Sequence, residues 1–212
     1  MRLWQDAVVE AVDADGAEAW FGGEQRGEPF AYRLRAGRWT TFPLPIPRND
    51  HHTPIVRIGG VAANGAGRAA LVGFGVFSDD FVRFADVWNG TRWSLEPIMP
   101  TVLGLDELYD VELGADGTGR AVGATWERSG PGGSLMPSAL VAVRRANRWR
   151  PIHPLRSEIG YDPRRFPRRG SVLSGVEVFA DGRVWAVGAT WARPANEDEL
   201  TTRPLLLEGS CS

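Results

Sequence analysis

Short runs in which every second residue is hydrophobic recur along the chain, and each pair of runs is hinged on a turn dipeptide. The clearest are VELGADGTGRAVGATW at 111–126 and VEVFADGRVWAVGATW at 176–191, which share the hexamer AVGATW. The same frame returns with less identity as VDADGAEAWFGG (12–23) and VAANGAGRAALVGFG (61–75). Alternation with period two puts one side of each run in a core and the other in solvent. Asp-Gly and Asn-Gly supply the positive φ angles that a tight hairpin needs. The pattern predicts hairpins turning at Asp15-Gly16, Asn64-Gly65, Asp116-Gly117 and Asp181-Gly182, with second strands ending at Gly22, Gly73, Gly123 and Gly188.

A second signature lies downstream in three of the four repeats. Gly37-Arg38-Trp39 leads into TFPLP, Thr91-Arg92-Trp93 into SLEPIMP, and Asn147-Arg148-Trp149 into RPIHP. Each repeat then reads as four short antiparallel strands, and 212 residues in four repeats give about 53 apiece, close to the ~50 of a propeller blade. The expected fold class is all-β: a single-domain β-propeller of four four-stranded antiparallel blades, at about 7–46, 55–100, 107–154 and 172–209. The fourth repeat stops short of an outer strand. Residues 1–6, with Arg2, Leu3 and Trp4, are expected to pair with residues 203–209 and close the last blade, which removes exposed strand edges.

These repeats, and VWNGTRWSLEPIMP above all, resemble bacterial kelch-type propellers of the kind found in the central domain of galactose oxidase. The resemblance spans nearly the whole chain and implies blades rather than a chemistry. No residue matches that oxidase's copper ligands or its crosslinked cofactor. Trp39, Trp93 and Trp149, repeated from blade to blade, read as wedge-filling core residues. Trp126 and Trp191 follow the repeated glycines and are weighed between packing and ligand contact.

Composition narrows the partners. A formal charge of -2 supplies no global field for nucleic acid or an acidic membrane surface, so neither is expected. All 24 basic residues are arginine, which together with abundant Ala, Gly and Pro fits the codon bias of a GC-rich bacterium. The single Cys211 forms no internal disulfide. The N-terminal residues lack a basic-then-apolar leader, so the chain reads as cytoplasmic as encoded, or as secreted if it is a processed form.

Function is expected on the face that gathers the long irregular segments, opposite the tight turns. Arg164, Arg165, Arg168 and Arg169, interleaved with Pro163, Phe166 and Pro167, form a candidate binding segment for carboxylate or phosphate, with Tyr161, Phe166, Trp126 and Trp191 as aromatic contacts. Asp50, His51 and His52 are the weak metal candidates, since adjacent side chains seldom converge on one ion. Glu112 and Glu177 each lie four residues before an Asp-Gly turn, hence at equivalent points near the axis, with Asp110 beside them and Glu10 one register off; they are the weak catalytic candidates for a glycoside-acting hydrolase. The leading expectation is a non-enzymatic propeller without cofactor that binds a protein or a small anionic ligand. A monomer is favoured, and half of an eight-bladed ring completed by a second copy is the alternative.

Overall fold

The computed structural model describes residues 7–46, 55–65, 67–77, 80–99, 106–128, 135–152, 168–193 and 201–210. These form fifteen strands in four antiparallel sheets. Blade 1 is β1 (Ala7–Asp15), β2 (Glu18–Gln25), β3 (Glu28–Arg35) and β4 (Arg38–Pro43). Blade 2 is β5 (Ile55–Ala63), β6 (Ala69–Phe77), β7 (Asp80–Trp88) and β8 (Trp93–Glu96). Blade 3 is β9 (Asp106–Leu113), β10 (Gly119–Arg128), β11 (Leu135–Arg145) and β12 (Arg148–Ile152). Blade 4 is described by three strands, β13 (Arg168–Val178), β14 (Arg183–Arg193) and β15 (Thr201–Ser210). The strand expected from residues 1–6 lies outside the described residues.

The turn chemistry sets the hairpins. Gly16, Gly65, Gly117 and Gly182, the second members of the four predicted dipeptides, all have positive φ. Ala36-Gly37 and Ala146-Asn147 hold positive φ at both positions, the two-residue geometry whose twist matches the flanking strands. These turns all fall at one end of the sheets. The segments between consecutive blades leave from the other end, so the division into a tight-turn face and a long-connection face follows from strand direction.

The repeated glycine has a different role from the one its position in the sequence implies. Strands β2, β6, β10 and β14 do not end there but run through it. Opposite each glycine the inner strand bulges, at Glu10, Gly59, Tyr109 and Ser174. The bulge turns an inner-strand carbonyl, of Val8, Arg57, Glu107 or Val172, into the space a Cβ would take on Gly23, Gly73, Gly123 or Gly188. In blade 1 the equivalent residue is therefore Gly23, not Gly22, which pairs one step further along with Ala11.

Blades pack face to face in chain order. A first cluster joins Trp20, Ala31 and Phe42 of blade 1 to Ile58, Leu71, Phe84, Trp88 and Trp93 of blade 2. A second joins Ala70, Val72 and Val87 of blade 2 to Val111, Ala121 and Trp149 of blade 3. A third, without an aromatic, joins Val122 and Ala139 to Leu173, Val176 and Ala186 of blade 4. Trp93 and Trp149 thus plug the first two wedges as the repeat predicts, while Trp39 is only half-buried and stacks on Phe21.

Candidate functional site

Two places in the fold concentrate polar chemistry. The first is the row of inner strands β1, β5, β9 and β13. Counting from the repeated glycines, Glu112 (opposite Arg120) and Glu177 (opposite Trp185) are equivalent, as the sequence spacing implies. The blade 1 equivalent is Asp13, opposite Trp20, rather than Glu10, which is the bulge residue. Counting back from the turn misses it because the first hairpin turns in two residues while the third uses a five-residue turn.

These carboxylates knit blades together. Oδ2 of Asp13 accepts the N–H of Ala63 at 2.6 Å, Oδ2 of Asp110 accepts that of Val176 at 2.8 Å, and Oε2 of Glu10 accepts that of Ile58 at 2.8 Å. Each bond runs from one blade to the next. Glu112 instead accepts the N–H of its own neighbour Leu113 at 3.1 Å. Burial, then the negative charges of Asp13 and Glu177, push Glu112 up to about 7. Burial also raises Asp110 against the bonds that favour its charge. Glu177 is exposed. The row thus holds one carboxyl poised near neutrality, set among carboxylates with structural hydrogen bonds.

The second place is a cleft of about 980 Å³ between blades 3 and 4. Its walls include Val122, Val141, Val143, Val184 and Leu207, and Arg120, Arg145, Arg148 and Arg150 border it with Glu208 across from them. Cross-strand pairing explains the clustering: Arg120, Val143 and Arg150 form one row across blade 3, and Arg145 pairs with Arg148 two rows along, on the same face. Arg120 is buried and donates to the carbonyl of Gly119 at 3.0 Å, whereas Arg148 and Arg150 are exposed. No indole among the described residues plugs this third wedge. The alternation RRANRWR (144–150), with arginines on either side of Trp149, is the signal in the sequence that marks it.

No family model and no curated protein sequence matches the chain. Solved structures do. YCF48 from Cyanidioschyzon merolae shares 15% identity at a TM-score of 0.50, over 93% of this chain and 56% of that one. The chain has the β-propeller fold. A polysaccharide lyase, the PL25 ulvan lyase bound to -[GlcA(1-4)Rha3S]-, is similar at 9% identity and a TM-score of 0.50, over 89% of this chain and 47% of that one. A GH32 β-fructofuranosidase of Bombyx mori matches at 11% identity and a TM-score of 0.46, over 93% of this chain and 46% of that one. The chain spans about half the length of these structures.

The remaining candidates from the sequence are dispersed. Tyr161, Arg164, Arg165 and Phe166, and likewise Asp50, His51 and His52, lie outside the described residues. Arg168 and Arg169 open β13, where their backbones pair with Arg193 and Ala192. Trp191 lies across Gly170, its indole filling the space beside that Cα. Trp126 is half-buried, and its indole N–H is buried without a hydrogen-bond partner among the described residues. Among the described residues no group of His, Cys, Asp or Glu is placed to hold a metal.

Proposed function

We propose that this propeller is a non-catalytic binding module for an organic anion, seated in the cleft between blades 3 and 4. The observation that carries this reading is the combination of an apolar wall with guanidinium groups from Arg145, Arg148 and Arg150 along one border. Guanidinium forks bind carboxylate, sulfate and phosphate in two-point geometry, and the valine wall suits the body of a saccharide or acyl ligand. Arg168 and Arg169 open β13 at the end away from this cleft, so the arginine segment 164–169 is proposed only as a separate contact for an anionic group. The kelch-type kinship of the blades, which rests on the repeated Arg-Trp strands, is likewise part of the proposal.

The ulvan lyase among the structural neighbours holds an anionic saccharide, which makes uronate and sulfated oligosaccharides the first probes. Calorimetric titration of the wild type against these, and against a variant with Arg145, Arg148 and Arg150 all changed to Ala, tests the proposal. Binding weakened at least about tenfold in the variant, and weakened by added salt in the wild type, supports it. Equal binding by both proteins overturns it. So does a wild type that binds none of the probes while Trp4→Ala lowers its melting temperature, because the cleft then serves as the socket of an outer-strand tryptophan.

A second reading rests on Glu112, which sits in the row with Asp13 and Glu177 and which burial and those neighbours push up to about 7, a range that suits a general acid. It makes the protein a glycoside hydrolase and requires turnover that Glu112→Gln and Glu177→Gln each abolish. Intact turnover in either variant removes it.

A further inference from the structure

The interface positions of the four blades correspond one to one, with Gly23, Gly73, Gly123 and Gly188 as the common origin. One face of each blade packs on the blade that follows. On it, Trp20, Ala70 and Arg120 are equivalent to Trp185, and Val72 and Val122 to Val187. The first three are at most 6% exposed and Val72 and Val122 are fully buried, yet Trp185 is 38% and Val187 48% exposed. Leu206, beside Val187, is 59% exposed where Ala31 and Ala85 are buried.

The opposite face packs on the blade that precedes. There Val61, Val111 and Val176 are at most 8% exposed, whereas their blade 1 equivalent Val12 is 61% exposed. Val9, opposite Gly23, follows the same rule: it is 42% exposed where its equivalents Ile58, Leu108 and Leu173 are at most 5% exposed. Blades 1 and 4 therefore each present one half of the interface that the internal blades complete. Strong packing joins β1 to β5, β5 to β9 and β9 to β13, and none of that kind joins β13 to β1 among the described residues.

We infer that a second copy of this chain completes both unmade interfaces. The blade 4 face of each copy, with Trp185, Val187 and Leu206, packs on the blade 1 face of the other, with Val9 and Val12. The two four-blade arcs close into one eight-bladed ring by a twofold axis. Two things favour a second copy as the occupant. The halves are complementary by construction, because each is a repeat of a partner in the internal interfaces. Both halves are also on one chain, so the blade 4 face of each copy can meet the blade 1 face of the other.

Sedimentation equilibrium of the full chain at micromolar concentration should give the mass of two chains. Val12→Arg on one face and Trp185→Arg on the other each place a charge in an apolar contact, and each should raise the dimer dissociation constant by at least about tenfold. Circular dichroism confirms that each variant folds. The decisive experiment mixes the two variants. The intact blade 4 face of the first meets the intact blade 1 face of the second, so two-chain particles should reappear in the mixture at a concentration at which each variant alone is mostly single-chain. A single-chain mass for the wild type overturns the inference, as does a series of larger particles that grows with concentration. Failure of the mixture to recover the two-chain species overturns the pairing of these two faces.

Discussion

Arg144 of blade 3 clasps Glu96 of blade 2 in a two-point fork, Nε to Oε2 at 2.7 Å and Nη2 to Oε1 at 2.6 Å, with both residues buried. The same guanidinium also donates to the carbonyl of Gly117 and to Oδ1 of Asn147, so it ties the outer edge of blade 2 to two turns of blade 3. Arg83 of blade 2 pairs similarly with the buried Asp106 of blade 3.

Removing one member of such a pair leaves an uncompensated buried charge. Arg144→Met should therefore cost about 3–5 kcal/mol, while Arg144→Met with Glu96→Leu should recover most of that loss. Urea unfolding of the three proteins checks it. A single substitution costing under about 1 kcal/mol would mean that the fork does not hold the blades.

At the repeated glycine, steric overlap decides the outcome of substitution. An added methyl on Gly123 or Gly188 overlaps a backbone carbonyl, which cannot swing away as a side-chain tip can. Gly123→Ala and Gly188→Ala should each cost about 3 kcal/mol or more, at or beyond the upper end of ordinary overpacking. Gly209 also lies in a strand, but nothing stands within 4 Å of the position a Cβ would take there, and Gly209→Ala should stay within about 0.5 kcal/mol of wild type. Equal thermal shifts in all three variants would dismiss the carbonyl as the cause.

The blades are legible in the sequence because their determinants are local. Asp-Gly and Asn-Gly fix the hairpins, and period-two alternation fixes which side is buried. The bulges are not legible, since Glu10, Gly59, Tyr109 and Ser174 share no side-chain type; only the partner glycine betrays them. Unequal turn lengths, two residues in the first hairpin and five in the third, likewise keep the sequence alone from revealing Asp13 as the equivalent of Glu112 and Glu177. The border of Arg145, Arg148 and Arg150 leaves a trace in RRANRWR, but the run reads there as flanking a structural tryptophan, because the exposure of its arginines depends on which blade follows.

A buried carboxyl, Asp86, and a half-buried one, Glu112, should give the protein a pH signature. Burial pushes Asp86 up to about 7, and burial with neighbouring carboxylates does the same for Glu112. Between the ordinary carboxylate range and about 7 the folded state retains protons that the unfolded chain has lost. Stability contributed by these groups therefore falls as pH rises through that window and levels off above it, by about 1–3 kcal/mol per group. Denaturant midpoints at pH 5 and pH 8 measure the drop. Glu112→Gln and Asp86→Asn should each reduce it, and a drop unchanged in both variants would assign the pH dependence elsewhere.

The outer tryptophans place the same residue type in three blades with different surroundings. Trp149 is fully buried between blades 2 and 3, in the cluster with Val87 and Val111. Trp149→Ala removes that contact within one chain and should cost about 3–5 kcal/mol whatever the protein concentration. Trp39 touches Phe21 at a ring separation of 5.1 Å and lies on the same face of blade 1 as Val12. In isolated chains Trp39→Ala should carry a cost that is the same at every protein concentration. If a second copy covers that face, the cost grows with concentration, because association is then linked to folding and the variant loses the linked part. Melting temperatures of wild type and both variants across a hundredfold concentration range read this directly. A gap between wild type and Trp39→Ala that widens with concentration, beside a constant gap for Trp149→Ala, is the expected result; two constant gaps would place Trp39 on a face that no second copy covers.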